Sequence, residues 1–311
     1  MLMDEKTKEI LDFEGVLADL HPTTPFGQAL KNNMKAYGAC DKEQLLEELD
    51  RVEKLKELIN SQRAVFVDIR THMRQIKNIR KSVERCIAGG VLGVVELFEL
   101  KNFVYIVKSI SEGQKALHWD IPDKYTVNEL QWMEAVLDPG GTGIKTFYIY
   151  DDYSRKLAGI RKQKGLLEHR LDVLKKDAIK GAEAELGVSV RPSGEITVSK
   201  SQTELMDKFK ENSILELAGE TYINITYRVR PDCNMLELMG EIESLKGEEA
   251  IEEAVILEEL SSKISSRGKE ILEVMDAIGE FDLIIAKAYL ANGYNGIKPV
   301  ICDRAKLIIV N

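Results

Sequence analysis

The segment closest in composition to a phosphate-binding loop is Gly140-Gly141-Thr142-Gly143-Ile144-Lys145-Thr146. A P-loop needs Gly, Lys and Thr contiguous, so that the lysine reaches the phosphates and the hydroxyl reaches magnesium. Here Ile144 intervenes and no clear buried strand precedes, so the segment reads as a glycine-rich turn between helices. His21, His72, His118 and His169 stand apart, with no HxxxH or HExxH spacing to hold a metal. No GxSxG or comparable nucleophile signature occurs. The acidic pairs at 151–152, 248–249, 252–253 and 258–259 read as solvated helix faces. The expectation is a chain without an active site, a metal or a cofactor of its own.

Charge is distributed unevenly. Nine bases and three acids lie between Arg155 and Lys180, and seven bases and two acids between Arg63 and Arg85. Between Glu237 and Asp282 the count is four bases and fourteen acids. Two readings stand. The basic run pairs with the acidic one inside the molecule, or it faces phosphates.

The elements that would carry these charges are mostly helices. Asp41 is placed to cap a helix with Leu45, Leu49, Val52, Leu55 and Ile59 at helical spacing. A basic helix or helices over 71–87 ends at Gly89-Gly90, and an apolar stripe runs from Val94 to Leu117. Tyr153 to Glu185 contains no proline and reads as one long helix. The period then changes. Val188–Arg191 and Ile196–Val198 flank Pro192-Ser193-Gly194 as an expected hairpin, Ser201–Ser213 suits a short amphipathic helix or a loop, and Leu215–Val229 reads as a second strand pair, with Tyr222–Tyr227 alternating most clearly. From Glu248 to Ala291 proline is again absent, predicting a helix of about 60–65 Å at 1.5 Å per residue. The economical arrangement is an antiparallel pair of long helices with a β-containing subdomain at the tip. The apolar segment Lys306–Asn311 reads as a lone strand, the start of a further domain.

With 311 residues, 44% apolar and 31% charged, the chain has the balance of a soluble globular protein of about two domains. A net charge of −9 excludes a uniformly basic surface, although not a local stripe. No apolar run approaches a membrane span, and the N-terminus has no secretory signal pattern. Cys40, Cys86, Cys233 and Cys302 are scattered, and are expected to be buried free thiols in a reducing cytoplasm.

Several stretches in order resemble the lever and clamp regions of the MutS family of mismatch-repair and recombination ATPases. Thr24-Pro25-Phe26-Gly27, followed by Leu30, is similar to the family's Thr-Pro-x-Gly turn. Asp68-Ile69-Arg70 through Ala88-Gly89-Gly90-Val91-Leu92 and Glu96-Leu97 resembles the subfamily lacking the mismatch-reading domain. Leu137-Asp138-Pro139-x-Gly141, then Ser154-x-x-Leu157-x-x-Ile160-Arg161, resembles the turn into the ascending lever helix. Asn295 and Pro299 resemble the approach to the first ATPase strand.

The resemblance implies a mainly α fold: a helical core and lever over 1–182, an inserted α+β clamp over 183–241, a returning lever helix over 242–294, and the start of an ATPase domain over 295–311. It implies DNA as partner (duplex, mismatched or branched), a homodimeric parent, a cytoplasmic location, and ATP with magnesium only in the ATPase domain. The function it implies is to clamp DNA by backbone contacts and to transmit ATP-driven motion. No Walker A motif occurs in this chain, and no Phe-x-Glu mismatch-reading motif or its domain is present at the N-terminus. The clamp-like segment holds six bases against eleven acids. Those bases, Arg191, Lys200, Lys208, Lys210, Arg228 and Arg230, are the candidates for DNA-backbone contact, and ordinary surface charge is the alternative. A non-catalytic scaffold for protein association, or an RNA- or ribosome-associated role, are the other functions left open.

Overall fold

The computed structural model describes residues 5–301. The segment 306–311, expected as a strand, lies outside them, as does Cys302. The described chain is mainly helical. In order, it forms α1 (Glu5–Ile10), α2 (Phe13–Ala18), α3 (Pro25–Asn32), α4 (Lys42–Ser61), α5 (Arg63–Met73), α6 (Arg80–Ile87), α7 (Val94–Lys115), α8 (Gln131–Leu137) and α9 (Arg155–Leu186). Then come β1 (Glu195–Ser199), α10 (Thr203–Lys210), β2 (Leu215–Glu220), β3 (Asn224–Val229), α11 (Cys233–Ser266) and α12 (Gly268–Gly293). The chain divides into two compact units, one of residues 1–148 and 257–311, the other Ile149–Ile256.

In the first unit, α12 is the central helix. Its residues Ile271, Met275, Ile278, Phe281 and Ile285 are fully buried, and it packs on α3, α4 and α6. The start of α3 shows how sequence becomes structure here. Thr24 is the N-cap, its Oγ accepting from the Gly27 N–H at 2.9 Å, and Pro25 fills the first helical position, where no N–H is needed. Phe26 is buried edge-on to Phe103, with ring centroids 6.3 Å apart. Gly27 is required by space, because a Cβ there would lie 2.4 Å from the Asp282 carboxylate. That carboxylate, on α12, accepts from the Thr24 N–H at 2.6 Å, the Thr24 hydroxyl at 2.8 Å and the Thr23 N–H at 2.8 Å.

In the second unit, three antiparallel strands form a sheet in the order β1-β3-β2. Ile196 and Val198 of β1 face Tyr227 and Ile225 of β3. This face closes over Phe209 of α10 and over Ala182 and Leu186 at the end of α9. Earlier on α9, Leu171 and its neighbours pack on Met235, Leu238 and Ile242 of α11. As numbers rise along α9 they fall along the facing α11, so this pair is antiparallel.

Four local expectations are corrected. Residues 188–191 are not a strand. The Val190 N–H is taken by the Glu183 side chain at 2.9 Å, and β1 pairs with β3 instead. The long helix predicted over 248–291 is two helices, broken at Arg267. Gly268 there approaches Ile87 so closely that a Cβ would lie 2.4 Å from its Cγ1. Asp41 precedes α4 but does not cap it through its side chain; that carboxylate accepts from the Gly38 N–H at 2.8 Å. Among the described cysteines Cys86 is buried, while Cys40 and Cys233 are exposed.

Candidate nucleic-acid interface

Helix α9 begins where Ser154 accepts from the Leu157 N–H, and ends at Gly187, whose φ of 71° is the left-handed conformation that glycine adopts without penalty. Its buried stripe is Leu157, Ile160, Leu171, Ala182 and Leu186. Three of its nine bases are used beside that stripe. Arg161 reaches Asp151 at 2.6 Å, Glu249 at 2.8 Å and Glu253 at 2.7 Å, and also donates to the Ile149 carbonyl. Lys164 pairs with Glu249, and Lys156 pairs with Glu252 at 2.8 Å. Burial opposes the Arg161 charge, but its carboxylate partners outweigh that and hold its pKa above the ordinary value. Glu249 is held below the usual carboxylate range, first by Lys164 and also by Arg161. The internal pairing read from the charge pattern therefore holds for these three bases.

Arg161→Ala is expected to destabilise this unit by about 1–2 kcal/mol, because Asp151 and Glu253 lose their common cation while staying close to Glu249. The loss should shrink in 1 M salt, which chemical denaturation at two salt concentrations measures. Glu249 contributes to the acid limb, as do Glu195, Glu220 and Glu252, whose pKa values are also lowered. The Glu249 contribution is present above the ordinary glutamate range and is lost as pH falls through its depressed value.

The opposite face of α9 is different. Arg155, Lys162, Arg170 and Lys180 are exposed and make no ion pair among the described residues. Lys176 is exposed too, sharing its charge with Asp172 at 3.1 Å. At 100° per residue, positions 155, 162, 169, 176 and 180 fall along one side of the helix, with 166 and 173 between them. Those two are Leu166 and Val173, both solvent-exposed, and 169 is the exposed His169. From Arg155 to Lys180 the face spans about 37 Å, close to one turn of B-form DNA. By contrast, four of the seven bases between Arg63 and Arg85 are engaged. Arg70 lies over Tyr289, Lys77 pairs with Glu99, Arg80 with Asp276 and Arg85 with Glu96.

The six bases singled out in the sequence do not converge. Arg228, on β3, bridges to Glu195 at 2.7 Å and also stands opposite Glu216. Lys200, at the far end of the same ladder, pairs with Glu220 at 2.5 Å. Lys208 donates to the Leu186 carbonyl, closing the negative end of α9. Arg230 donates to the Leu215 carbonyl at 3.4 Å. Arg191 is exposed and close enough to Glu195 to help lower its pKa, after Arg228. Lys210 is exposed at the end of α10. A hollow of about 400 Å³ lies between α9, the base of the sheet and α11, lined by Lys175, Arg228, Glu216 and Met235 among others.

The glycine-rich segment is not a phosphate cradle. Asp138 accepts from the Gly143 N–H at 2.8 Å and from the Thr142 hydroxyl at 2.9 Å, so the donors that would face a phosphate are turned inward. Among the described residues, no group of three or more His, Cys, Asp or Glu is placed to hold a metal ion. No described helix is long and apolar enough to cross a membrane.

No protein-family model matches the chain. Curated relatives do. The chain is 22% identical over 310 residues to the proteins named Endonuclease MutS2 of Staphylococcus aureus strains Newman, JH9 and bovine RF122. Each match covers 96% of this chain but 38% of the relative, so the chain spans about two fifths of their length. This similarity supports a MutS-family relationship.

Proposed function

We propose that this chain is part of a MutS-like protein that holds DNA through backbone contacts, without reading sequence. The observation that carries the reading is the exposed basic face of α9, where Arg155, Lys162, Arg170 and Lys180 make no ion pair among the described residues, in a chain similar to MutS2 along nearly its whole length. Cations spaced along a helix neutralise successive phosphates, and released counterions supply the affinity. Base edges are not needed for such contact. On this reading the six bases from Arg191 to Arg230 play a lesser part, since several already hold internal partners. The reading extends to a clamp over the β-containing region, to levers that carry ATP-driven motion, to a dimeric parent, and to an ATPase domain elsewhere that binds ATP and magnesium. This chain itself performs no catalysis in that scheme.

Fluorescence anisotropy tests it. Linear, mismatched and four-way-junction DNA should bind at about 50 mM salt and weaken by orders of magnitude at about 200 mM. Reversing three charges together, Lys162→Glu, Arg170→Glu and Lys180→Glu, should lower affinity at least 100-fold and flatten the salt slope by about three. Binding that ignores these changes overturns the reading. A helical scaffold is the second reading, favoured by Leu166 and Val173, exposed seven residues apart on the same face. It predicts self-association abolished by Leu166→Glu, read by sedimentation.

A further inference from the structure

The hairpin joining β2 to β3 turns on Tyr222 and Ile223. Tyr222 is 96% exposed and Ile223 is 65% exposed. Such a two-residue loop favours a type I′ or II′ turn, with positive φ at its first central residue and Asn or Gly to supply it. Asp12 and Asn295 are the only non-glycine residues with positive φ among those described, so Tyr222 and Ile223 form neither turn type. An aromatic and a β-branched residue thus occupy the apex where neither burial nor turn chemistry favours them. Thr221 compensates. Its N–H donates to the Asn224 carbonyl at 2.8 Å and its Oγ accepts from the Asn224 N–H at 3.0 Å. The Lys200 N–H also holds the Ile223 carbonyl, at 2.8 Å. Residues that break a local rule while the surroundings hold them in place mark functional positions.

The surface around the apex is rich in hydroxyls and nearly neutral. Thr197 and Thr226 face each other across the ladder, and Ser199 and Ser201 bond at 2.8 Å. Glu220, the nearest acid along β2, is neutralised by Lys200. Hydroxyl and amide groups suit phosphate and sugar contacts, and an exposed aromatic with an aliphatic neighbour suits a base that has lost its stacking partner.

We propose that Tyr222 and Ile223 form a wedge that stacks on unpaired or weakly paired nucleotides, so that the hairpin senses nucleic-acid structure rather than sequence. The proposal rests on the nucleic-acid reading above and adds the feature that the protein would discriminate.

The test compares a duplex carrying a short unpaired bulge, labelled there with 2-aminopurine, against the same duplex fully paired. The full 311-residue chain should quench the bulge fluorescence and prefer the bulged DNA. Tyr222→Ala, at a site too exposed to affect folding, should lower affinity for the bulge about 5- to 100-fold while leaving affinity for paired DNA and the salt slope unchanged. Tyr222→Trp should retain the preference. Replacing the apex by Asn-Gly (Tyr222→Asn with Ile223→Gly) should raise the melting temperature while abolishing the preference. If wild type binds DNA, loses it on reversal of the α9 charges, and yet treats bulged and paired DNA alike with or without Tyr222, the wedge is overturned and the α9 reading stands. A hairpin that docks on a protein instead would give that result. If wild type binds neither DNA, both fall.

Discussion

Asp282→Ala should cost the first unit about 3–5 kcal/mol, read by chemical denaturation. The residue is 1% exposed and makes no ion pair among the described residues. Its value lies in what it accepts: two backbone N–H groups and one hydroxyl at the start of α3. Truncation strands the Thr23 and Thr24 N–H donors, each worth about 1–3 kcal/mol when left unsatisfied in the interior. It also frees Thr24, which caps α3 through its own hydroxyl. Gly27→Ala should approach the same loss by a different route, pushing a methyl against the carboxylate from the other side. Asp282→Asn separates charge from shape. Burial pushes the Asp282 carboxyl up from its ordinary value, and the hydrogen bonds only partly offset it. The carboxyl therefore stabilises the fold most when protonated, and this contribution declines as pH rises from the ordinary aspartate value through the raised one. The deficit of the Asn variant should shrink over that interval. A deficit that grows with pH would mean that the bound carboxylate is favoured by its donors more than burial disfavours it.

The 137–141 turn was legible in the sequence because a local rule governs it, whereas Thr24-Pro25-Phe26-Gly27 entered only as a resemblance to a family turn, although a local rule applies there too. A hydroxyl before Pro signals a helix start, and Asp-Pro-Gly-Gly signals a turn. Their partners were not legible. Asp282 lies 258 residues from Thr24 and sits in a stretch that reads as one face of an acidic helix. Nothing in local spacing separates it from the solvated acids around it. The same limit explains the long-helix error. Arg267-Gly268 is a tolerable helix interior by propensity, and the close approach of Ile87 to Gly268 at the break is a tertiary contact that local spacing does not announce. The sheet was half legible, since alternation marks β-propensity but does not choose partners. At the candidate interface, the charge count located α9 but could not divide its bases. Helical angle does: Arg161 and Lys164 lie toward Glu249, while Arg155, Lys162 and Lys180 lie on the other side. Tyr222 carried no warning at all, because alternation assigned it to a strand.

Lys101→Ala should cost about 2–4 kcal/mol and loosen the loop from Asp138 to Thr146. Lys101 and Asp138 are both nearly inaccessible, with Nζ and Oδ1 3.6 Å apart. Lys101 also donates to the Thr146 carbonyl at 3.3 Å. Removing one partner of a buried pair leaves the other charge uncompensated, which is where most of the cost of about 3–5 kcal/mol arises. Here the remainder is softened, because Asp138 keeps the Gly143 N–H, the Thr142 hydroxyl and the Tyr105 hydroxyl. Burial alone would raise the Asp138 pKa, but the Gly143 and Thr142 donors together with Lys101 bring it below its ordinary value. The pair therefore contributes above the usual aspartate range, and this is lost as pH falls through the depressed value. Lys101→Met keeps the stem volume and removes only the charge, so it should recover the packing part of the loss, while the Gly143 and Thr142 donors keep most of the acid sensitivity of Asp138. Hydrogen exchange at the Gly143 amide gives the local reading. It should remain protected in Lys101→Met and exchange freely in Asp138→Ala, because the turn is held by the carboxylate and the lysine acts through it. Equal exchange in both variants would make the lysine, rather than the aspartate, the organiser of the turn.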